Sequence, residues 1–339
     1  MSSILIIYTG GTIGMIQDEA TGSLKAFDFD SLLKEVPELK KISAQIDSVS
    51  FNNPIDSSDM GPKEWLNIAQ IIFDNYNQYD GFVVLHGSDT MAYTASALSF
   101  ILENLNKPVI LTGSQLPIGS IRTDAKENLL SAIEIAVTKI NNQPAIPEVA
   151  VYFEYSLYRG NRSIKVSAEE FEAFQSPNYP LLAEAGVNLK FNRSVIHPMN
   201  NKELSLNKNL DNNIATLKIF PGITQQQIVA TLNIPGIKAV VLETFGAGNA
   251  TTESWFIDLF EKAIQKGIIV LNITQCIGGS VELGKYATSS DFLRIGVIDG
   301  KDMTFEAAIT KLMYLLGSKY SPNQIKELLQ QSLRGEITP

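Results

Sequence analysis

Short apolar runs alternate with segments of helical periodicity through the first half of the chain. The runs ILIIY, FVVLH and PVILTG are rich in β-branched residues and predict buried strands. Apolar residues recur at helical spacing from Pro62 to Tyr76 and from Met91 to Glu103, and a third helix is predicted around Leu129 and Ile133. Because strands and helices alternate, we expect an α/β domain whose parallel sheet is covered by helices on both faces.

A second α/β unit is predicted after a break in this pattern. Residues 197–213, HPMNNKELSLNKNLDNN, lack periodicity and are interpreted as a surface linker. The runs ATLKIF, AVVLETF and GIIVLNIT beyond it predict further strands. We therefore expect a larger N-terminal domain over residues 1–196 and a smaller C-terminal α/β domain over residues 214–339.

Helix ends are marked in the second unit. Thr224 with Gln227, and Ser321 with Gln324, fit capping boxes at helix starts. Three glycines fit helix stops, namely Gly267, Gly317 and Gly335.

Composition limits the partners and the compartment. The net charge of −9 argues against nucleic acid or an anionic membrane surface as the main partner. Cys276 is the only cysteine, so no internal disulfide can form and a reducing compartment is expected. The first basic residue is Lys25, and no apolar run approaches the roughly 20 residues that span a bilayer. We therefore expect a cytoplasmic protein.

The first strand runs into TGGTIG, a stretch in which glycines surround Thr12. Two interpretations arise: the loop binds a phosphate through its backbone, or it presents Thr12 as a reactive group. Neither G-x-G-x-x-G nor a P-loop spacing is present, and no lysine follows until Lys25. The phosphate interpretation is therefore weak.

Other polar residues follow the second and third predicted strands. In open parallel sheets, ligands bind outside the carboxyl ends of the strands. Each of these residues is equally well explained as a turn or cap residue. The residues expected along this edge are Thr12, Ser88, Asp89, Thr112, Ser114 and Gln115.

Three residues could activate a hydroxyl group. His86 ends a strand, but a lone histidine is more often a hydrogen-bonded structural residue. His197 falls in the predicted linker and is expected to be a solvated surface residue. Lys165 is the other candidate, because a desolvated lysine beside a carboxylate can accept a hydroxyl proton. Residue patterns alone do not place Lys165 beside Ser88.

Several motifs together resemble the bacterial-type L-asparaginases, in their cytoplasmic type I branch. These motifs are TGGTIG, DSSDM, HGSDTMAYTASALSF, TGSQLP and LYRGNR, and the resemblance runs from Tyr8 to the C-terminal LRGEITP. It implies that residues 1–196 form the catalytic domain and that L-asparagine is hydrolysed to L-aspartate and ammonia. It also implies a homodimer or homotetramer, with no cofactor and no metal.

The resemblance assigns a role to each matched residue. Thr12 resembles the nucleophile that attacks the side-chain amide, and Ser88, Asp89 and Lys165 match a second catalytic group. Asp89 also resembles the carboxylate that holds the α-ammonium group of the substrate. The segment matching the one that binds the α-amino-acid end is Asp56, Ser57 and Ser58.

The chain departs from the family pattern in three places. Ser88 stands where the family usually has threonine, and MIQDEATGSLKAF lacks the lid tyrosine, with Ser23 near its position. Glu243 stands where members proposed to bind a second asparagine have arginine. Because the rest of that second site is still recognisable, we expect a relic of it, comprising Glu243, Thr274, Gln275 and Cys276.

Four alternatives remain beside the asparaginase interpretation. A glutaminase-asparaginase of broader specificity would share the motifs, and a non-catalytic amino-acid-binding relative could dispense with Lys165. A tRNA-dependent amidotransferase subunit is disfavoured because Thr12 lies almost at the start. The DSSD motif could suggest a metal site, yet a turn that contacts substrate is favoured.

Cys276 is expected to be a small buried residue rather than a nucleophile.

Overall fold

The chain folds into two compact units. The computed structural model describes residues 2–17, 24–26, 36–285 and 287–338. One unit comprises Met1–Leu206 and the other Asn207–Pro339. The division falls inside residues 197–213, the segment predicted as a linker.

The N-terminal unit is built on a large sheet with several short two-stranded ribbons beside it. Its strands are β1 Ser2–Gly10, β2 Met15–Gln17, β3 Leu24–Ala26, β4 Ala44–Ile55, β5 Gly81–Leu85, β6 Leu102–Glu103, β7 Val109–Thr112, β8 Lys139–Ile140, β9 Gln143–Pro144, β10 Val149–Phe153, β11 Ser156–Arg159, β12 Ile164–Lys165, β13 Phe174–Gln175, β14 Ala183–Ala185, β15 Leu189–Phe191 and β16 Ser205–Leu206.

The large sheet has eight strands in the order β15-β14-β11-β10-β7-β5-β1-β4. The five strands from β4 to β10 pair in parallel, as the alternating pattern predicts. The remaining three pair antiparallel, so the sheet is mixed. The reversal occurs at Glu154 and Tyr155, whose φ angles of 40° and 65° form a two-residue hairpin turn between β10 and β11.

Among the described residues, three helices cover this sheet. Pro62 begins the first helix, which buries Trp65, Ala69 and Ile72 as its apolar spacing predicts. The second helix ends before Glu103, which belongs to β6 instead. The bounds are α1 Pro62–Asn75, α2 Met91–Ile101 and α3 Ala125–Val137.

The C-terminal unit contains a four-stranded parallel sheet in the order β17-β18-β19-β20. Its core includes Phe256, Phe260 and Phe292, whose ring centroids lie 5.1–5.9 Å apart. The strands are β17 Ile214–Lys218, β18 Ala239–Thr244, β19 Ile269–Thr274 and β20 Ile298–Asp299. The helices are α4 Gln225–Leu232, α5 Ser254–Gln265, α6 Ala287–Ile295, α7 Phe305–Gly317 and α8 Pro322–Leu329.

Helix ends in this unit follow the sequence signals with one exception. Both predicted capping boxes are present, at Thr224 before α4 and at Ser321 before α8. Gly267 has a φ of 94° just after α5, and Gly317 is the last residue of α7. The prediction for Gly335 is wrong: α8 ends at Leu329, and this glycine lies in a turn of the tail.

A buried ion pair fastens the C-terminal tail to α7. Lys311 Nζ lies 2.6 Å from Glu336 Oε1, and both side chains have 0% exposure. The same ammonium group donates to the carbonyl oxygens of Leu329 and Gln331, while the carboxylate accepts main-chain N–H bonds. Burial lowers the pKa of Lys311, and the charge of Glu336 opposes that shift. Each of the two buried charges is therefore stabilised by the other.

Within the part of the chain that the structure describes, no helix combines the length and the apolar character that crossing a membrane requires.

Candidate active site

Three of the sequence motifs meet through glycine backbone. Gly11 has a φ of 85°, and a Cβ atom on it would lie 2.5 Å from Gly87 Cα. A Cβ atom on Gly87 would in turn lie 2.5 Å from Ser57 Oγ. Only glycine permits such approaches. Because Thr12 follows Gly11 and Ser88 follows Gly87, the motifs TGGT, HGSD and DSSD converge at one place.

Thr12 begins a short 3₁₀ turn after β1. The turn spans Thr12–Gly14, and its buried residue Ile13 lies in the core of the N-terminal unit. The hydroxyl group of Tyr8 donates to the carbonyl oxygen of Gly14 at 3.2 Å, and burial raises the pKa of Tyr8 to about 12. The turn is therefore held by the core while Thr12 itself is half-buried.

The Asp56 turn is fastened to the Ser88 turn. Asp56 Oδ1 accepts from the Ser58 main-chain N–H at 2.8 Å and from Ser58 Oγ at 2.9 Å, and these bonds lower the pKa of Asp56. Thr90 Oγ1 donates to the carbonyl oxygen of buried Ser57 at 2.6 Å. The three substrate-binding residues predicted in this turn therefore lie against the segment that carries Ser88.

Lys165 contacts the two other residues predicted for the second catalytic group, Ser88 and Asp89. Its Nζ atom lies 2.9 Å from Ser88 Oγ and 2.7 Å from Asp89 Oδ1. The Lys165 side chain is 14% exposed, whereas that of Asp89 is 68% exposed. The arrangement joins an ammonium group, a hydroxyl group and a carboxylate, and the carboxylate still faces solvent. Such a set can move a proton to or from Ser88 and can hold a cation at Asp89.

The loop after β7 also reaches Ser88. Ser88 Oγ donates to Gln115 Oε1 at 3.2 Å, and Gln115 Nε2 donates to the carbonyl oxygen of Glu170 at 2.9 Å. The buried Asp124 carboxylate accepts the main-chain N–H groups of Gln115 and Leu116. Burial raises the pKa of Asp124. The buried Asp124 carboxylate therefore holds this loop in place.

Two other polar residues of the same edge are engaged in local structure. The Thr112 hydroxyl group is buried and donates to the carbonyl oxygen of Tyr152 at 2.9 Å. Ser114 Oγ donates to the carbonyl oxygen of Leu116 at 2.6 Å. Both hydroxyl groups therefore serve the sheet and the loop.

His86 is a buried structural residue. Its Nδ1 atom lies 2.7 Å from the carbonyl oxygen of Gly87, and its Nε2 atom lies 2.8 Å from Thr94 Oγ1. Trp65 Nε1 donates to the same Thr94 oxygen. Since a carbonyl only accepts, Nδ1 carries the proton and Nε2 accepts from threonine. Complete burial lowers the pKa of His86 to about 4, so the ring is neutral and supports the Gly87 backbone.

The expectation for His197 is wrong. This residue is half-buried, and its main-chain N–H donates to Glu148 Oε1 at 2.8 Å. Glu148 forms a buried ion pair with Arg159, with 2.6 Å between Glu148 Oε2 and Arg159 Nε. The first residue of the segment predicted as a surface linker is therefore hydrogen-bonded to the N-terminal unit.

The residues of the predicted second-site relic cluster at the ends of β18 and β19. Gln275 Nε2 donates to the main-chain carbonyl oxygens of Ile219 and Glu243, and Thr274 Oγ1 accepts from the Cys276 N–H. The Glu243 carboxylate lies 3.8 Å from Lys218 Nζ. Burial raises the pKa of Glu243, and Lys218 opposes that shift. The polar side chains here are thus engaged with the protein itself.

The expectation that Cys276 is buried is wrong. Its side chain is exposed because β19 ends at Thr274 and the following residues form a surface turn.

Two further predicted features can be placed only in part. Ser23 and most of the predicted lid lie outside the described residues, although β2 and β3 on either side of them pair antiparallel. Among the described residues, no group of three or more His, Cys, Asp or Glu side chains lies close enough to hold a metal ion.

Two residues that build the site were not singled out from the sequence as site residues. Thr90 fastens two turns, and Asp124 holds the loop that carries Gln115, a residue expected at this edge that contacts Ser88. An aspartate directly before an amphipathic helix predicts an N-cap residue, but the Asp124 side chain makes no cap hydrogen bond and holds the preceding loop instead. Thr90 carries no such local signal.

Two family models match the chain. Residues 3–197 match the model described as "Asparaginase, N-terminal". Residues 213–329 match the model described as "Glutaminase/Asparaginase C-terminal domain". Together they cover most of both compact units.

Individual proteins are similar over the whole chain. L-asparaginase 1 of Escherichia coli strain K12 is 43% identical over 99% of this chain and 98% of its own length. The 60 kDa lysophospholipase of Mus musculus is 40% identical over 99% of this chain, which spans 62% of that protein. The crystal structure of L-asparaginase I from Vibrio cholerae superposes with a TM-score of 0.91 at 42% identity, covering 100% of this chain and 99% of that one.

Proposed function

The chain is an amidohydrolase that belongs to the asparaginase family, and on that premise we propose that it hydrolyses L-asparagine to L-aspartate and ammonia through an acyl-enzyme on Thr12. The observation that carries the proposal is the contact of Lys165 Nζ with both Ser88 and Asp89. A protein that only binds amino acids needs a carboxylate for the α-ammonium group but has no use for a lysine on a hydroxyl group.

The proposed first step is attack of Thr12 Oγ on the side-chain amide carbon. An amide is a poor electrophile, so the reaction needs a positioned hydroxyl group, a proton acceptor and N–H donors for the oxyanion. The hydroxyl proton passes to the amide nitrogen, which leaves as ammonia while the acyl group remains on Thr12. The glycines around Thr12 let Ile55, Gly87 and Tyr8 pack directly against its backbone, which fixes the position of the Thr12 turn.

The α-amino-acid end of the substrate is proposed to bind at Asp89 and the Asp56 turn. Asp89 Oδ1 is engaged by Lys165, and the side chain is 68% exposed, which leaves the carboxylate accessible to an ammonium group. Ser57 and Ser58 lie in the turn fastened beside it. Binding at two points fixes the distance from the α-carbon to the amide that is attacked.

The second step is hydrolysis of the acyl-enzyme by water. We assign the activation of this water to Ser88, with Lys165 as the partner that exchanges a proton with the Ser88 hydroxyl group. Water adds to the ester carbon, Thr12 Oγ leaves and regains a proton, and aspartate is released. Asp89 holds Lys165 in place at 2.7 Å.

The direct test is ammonia release by the purified full chain. We expect release from L-asparagine and little from D-asparagine or a β-aspartyl peptide, because the α-ammonium and α-carboxylate groups must bind in one geometry. Absence of ammonia release from L-asparagine would refute the proposal.

Selectivity separates the proposal from a broader glutaminase-asparaginase. Glutamine is longer by one methylene, which a pocket can discriminate by about 1–3 kcal/mol. We expect asparagine to be preferred by roughly tenfold to 200-fold in kcat/KM, measured by steady-state ammonia release. Equal kcat/KM values for the two amides would instead support the broader enzyme.

We also propose self-association into a homodimer or homotetramer in the cytoplasm. The single cysteine supports a reducing compartment, and the net charge of −9 argues against nucleic acid or an anionic membrane as partner. Light scattering of the purified protein measures the assembly directly, and a monomeric mass at working concentration would contradict it.

A further inference from the structure

We propose that Gln115 is a positioning residue that holds the Ser88 hydroxyl group in the rotamer that faces Lys165. The proposal deepens the proposed function, on which it rests, because it concerns the same catalytic group. It is carried by two hydrogen bonds at one oxygen: Ser88 Oγ lies 2.9 Å from Lys165 Nζ and 3.2 Å from Gln115 Oε1.

The two bonds to Ser88 have opposite direction. An ammonium group has three donors and no acceptor, so Ser88 Oγ accepts from Lys165. The hydroxyl hydrogen then needs an acceptor elsewhere, and Gln115 Oε1 provides it. The two partners together fix the position of the oxygen beside Lys165, which proton exchange between Ser88 and Lys165 requires.

The acceptor is itself held at both ends. Gln115 Nε2 donates to the carbonyl oxygen of Glu170, which directs Oε1 toward Ser88. The main-chain N–H of Gln115 donates to Asp124, a buried carboxylate that also accepts from Asn128 Nδ2. Gln115 therefore acts as a fixed point, whereas a free surface glutamine would not restrict Ser88.

Ser88 needs such a fixed point because serine has no branch at Cβ. A β-branched residue such as threonine has restricted χ1 rotation, but serine reaches all three staggered rotamers more freely. In only some of these can Ser88 Oγ remain near Lys165. Hydrogen bonding by Gln115 supplies the restriction that a methyl group would supply in threonine.

The test compares Gln115→Met in two backgrounds. Methionine keeps an unbranched side chain of similar length and removes both polar atoms. In the native background we expect kcat for asparagine to fall about tenfold or more, with KM changed less than about threefold. In a Ser88→Thr background the same substitution should lower kcat by less than about threefold, because the β-branch now restricts χ1. Equal losses in both backgrounds, or no loss in the native one, would overturn the proposal.

A matched control and a direct readout complete the design. Ser114→Ala removes a hydrogen bond within the same loop without touching Ser88, so kcat should stay within about twofold. Crystal structures of the native chain and of Gln115→Met report the Ser88 rotamer independently of activity. More than one Ser88 rotamer in Gln115→Met is expected, and one unchanged rotamer would overturn the proposal even if the chain hydrolysed no asparagine. Loss of the proposed function is seen differently, as absence of native activity.

Discussion

At the residue scale, the proposed chemistry depends on the Thr12 hydroxyl group. Thr12→Val keeps the shape of the side chain and removes the nucleophile, so kcat should fall by about 1000-fold or more, which corresponds to ~4 kcal/mol in the activation barrier. Steady-state ammonia release measures it, and circular dichroism checks the fold. Retention of more than about a tenth of the native turnover, a loss of only ~1.4 kcal/mol, would mean that Thr12 is not the nucleophile.

The same motif provides a matched control. Thr9 is fully buried, and its hydroxyl group donates to the carbonyl oxygen of Leu85 at 3.0 Å. Thr9→Val should therefore lower the free energy of unfolding by about 1 kcal/mol while turnover stays within a few-fold of native. Each substitution removes a threonine hydroxyl group, and the two positions are three residues apart. Comparing them distinguishes a loss of turnover from a loss of stability.

His86 should make stability depend on pH. Its pKa is about 4 in the folded chain and 6.5 in the unfolded one, so the unfolded state binds more protons between these values. The free energy of unfolding should therefore fall as the pH drops from 6.5 toward 4, by up to roughly 3 kcal/mol from this residue. The pKa of Glu154 and that of Glu306, each raised to about 7 by burial, act in the opposite direction, with stability falling as the pH rises from about 4.5 to 7.

The contribution of His86 to the pH dependence of stability can be measured by comparing the native chain with a variant that lacks the imidazole ring. His86→Asn retains a donor for the Gly87 carbonyl oxygen and removes the titration, while the two glutamates remain in both proteins. Urea unfolding at pH 6.5 and 5 should show a smaller loss of stability in the variant than in the native chain. Equal losses would show that the ring is not kept neutral by burial.

Sequence patterns reach some of these residues and not others. Thr12, Ser88 and Asp89 follow apolar runs, so their position at a strand end is predictable from local sequence. Lys165 Nζ meets Ser88 Oγ across 77 residues of chain, a contact that no local pattern specifies. The family resemblance named Lys165, but residue chemistry by itself left it unplaced.

At the element scale, the ion pair between α7 and the tail should be strongly coupled to folding. Glu336→Gln leaves the ammonium group of Lys311 buried without its counter-charge, and breaking such a pair costs about 3–5 kcal/mol. Urea denaturation should show a loss of this size in the free energy of unfolding. An exposed pair serves as control: Glu261→Gln removes the contact with Arg294, and the expected loss is far smaller because solvent screens this pair. Similar losses for both variants would contradict the expectation.

Elements were predictable where local chemistry decides them. Both capping boxes and the apolar face of α1 follow from side chains a few residues apart. The three antiparallel strands of the large sheet were missed because the hairpin turn that leads to them uses Glu154 and Tyr155. These residues rarely adopt positive φ, and the sequence has no Asn-Gly or Gly signal there.

At the scale of the whole molecule, Glu243 determines the expected response to substrate concentration. A second asparagine would need a cation for its α-carboxylate, and the half-buried Glu243 presents like charge there when ionised. The Gln275 amide is already bonded to main-chain oxygens. A ligand that binds no state preferentially cannot shift an equilibrium between states. We therefore expect initial velocity to rise hyperbolically with asparagine concentration.

Initial rates over a wide range of asparagine concentration decide this prediction. A Hill coefficient near 1 is expected for the native chain. A clearly sigmoidal curve that becomes hyperbolic in Thr274→Ala or Gln275→Ala would show that the second site works and that another cation replaces the missing arginine.

The exposed thiol of Cys276 gives this protein a chemical handle. With one cysteine in the chain and its side chain at the surface, a maleimide dye should attach at a single, known position of the C-terminal unit. No cysteine has to be removed first, so fluorescence or spin-label spectroscopy can be applied to the native sequence. The label would stand two residues beyond Thr274, where it reports directly on whether anything binds beside Glu243.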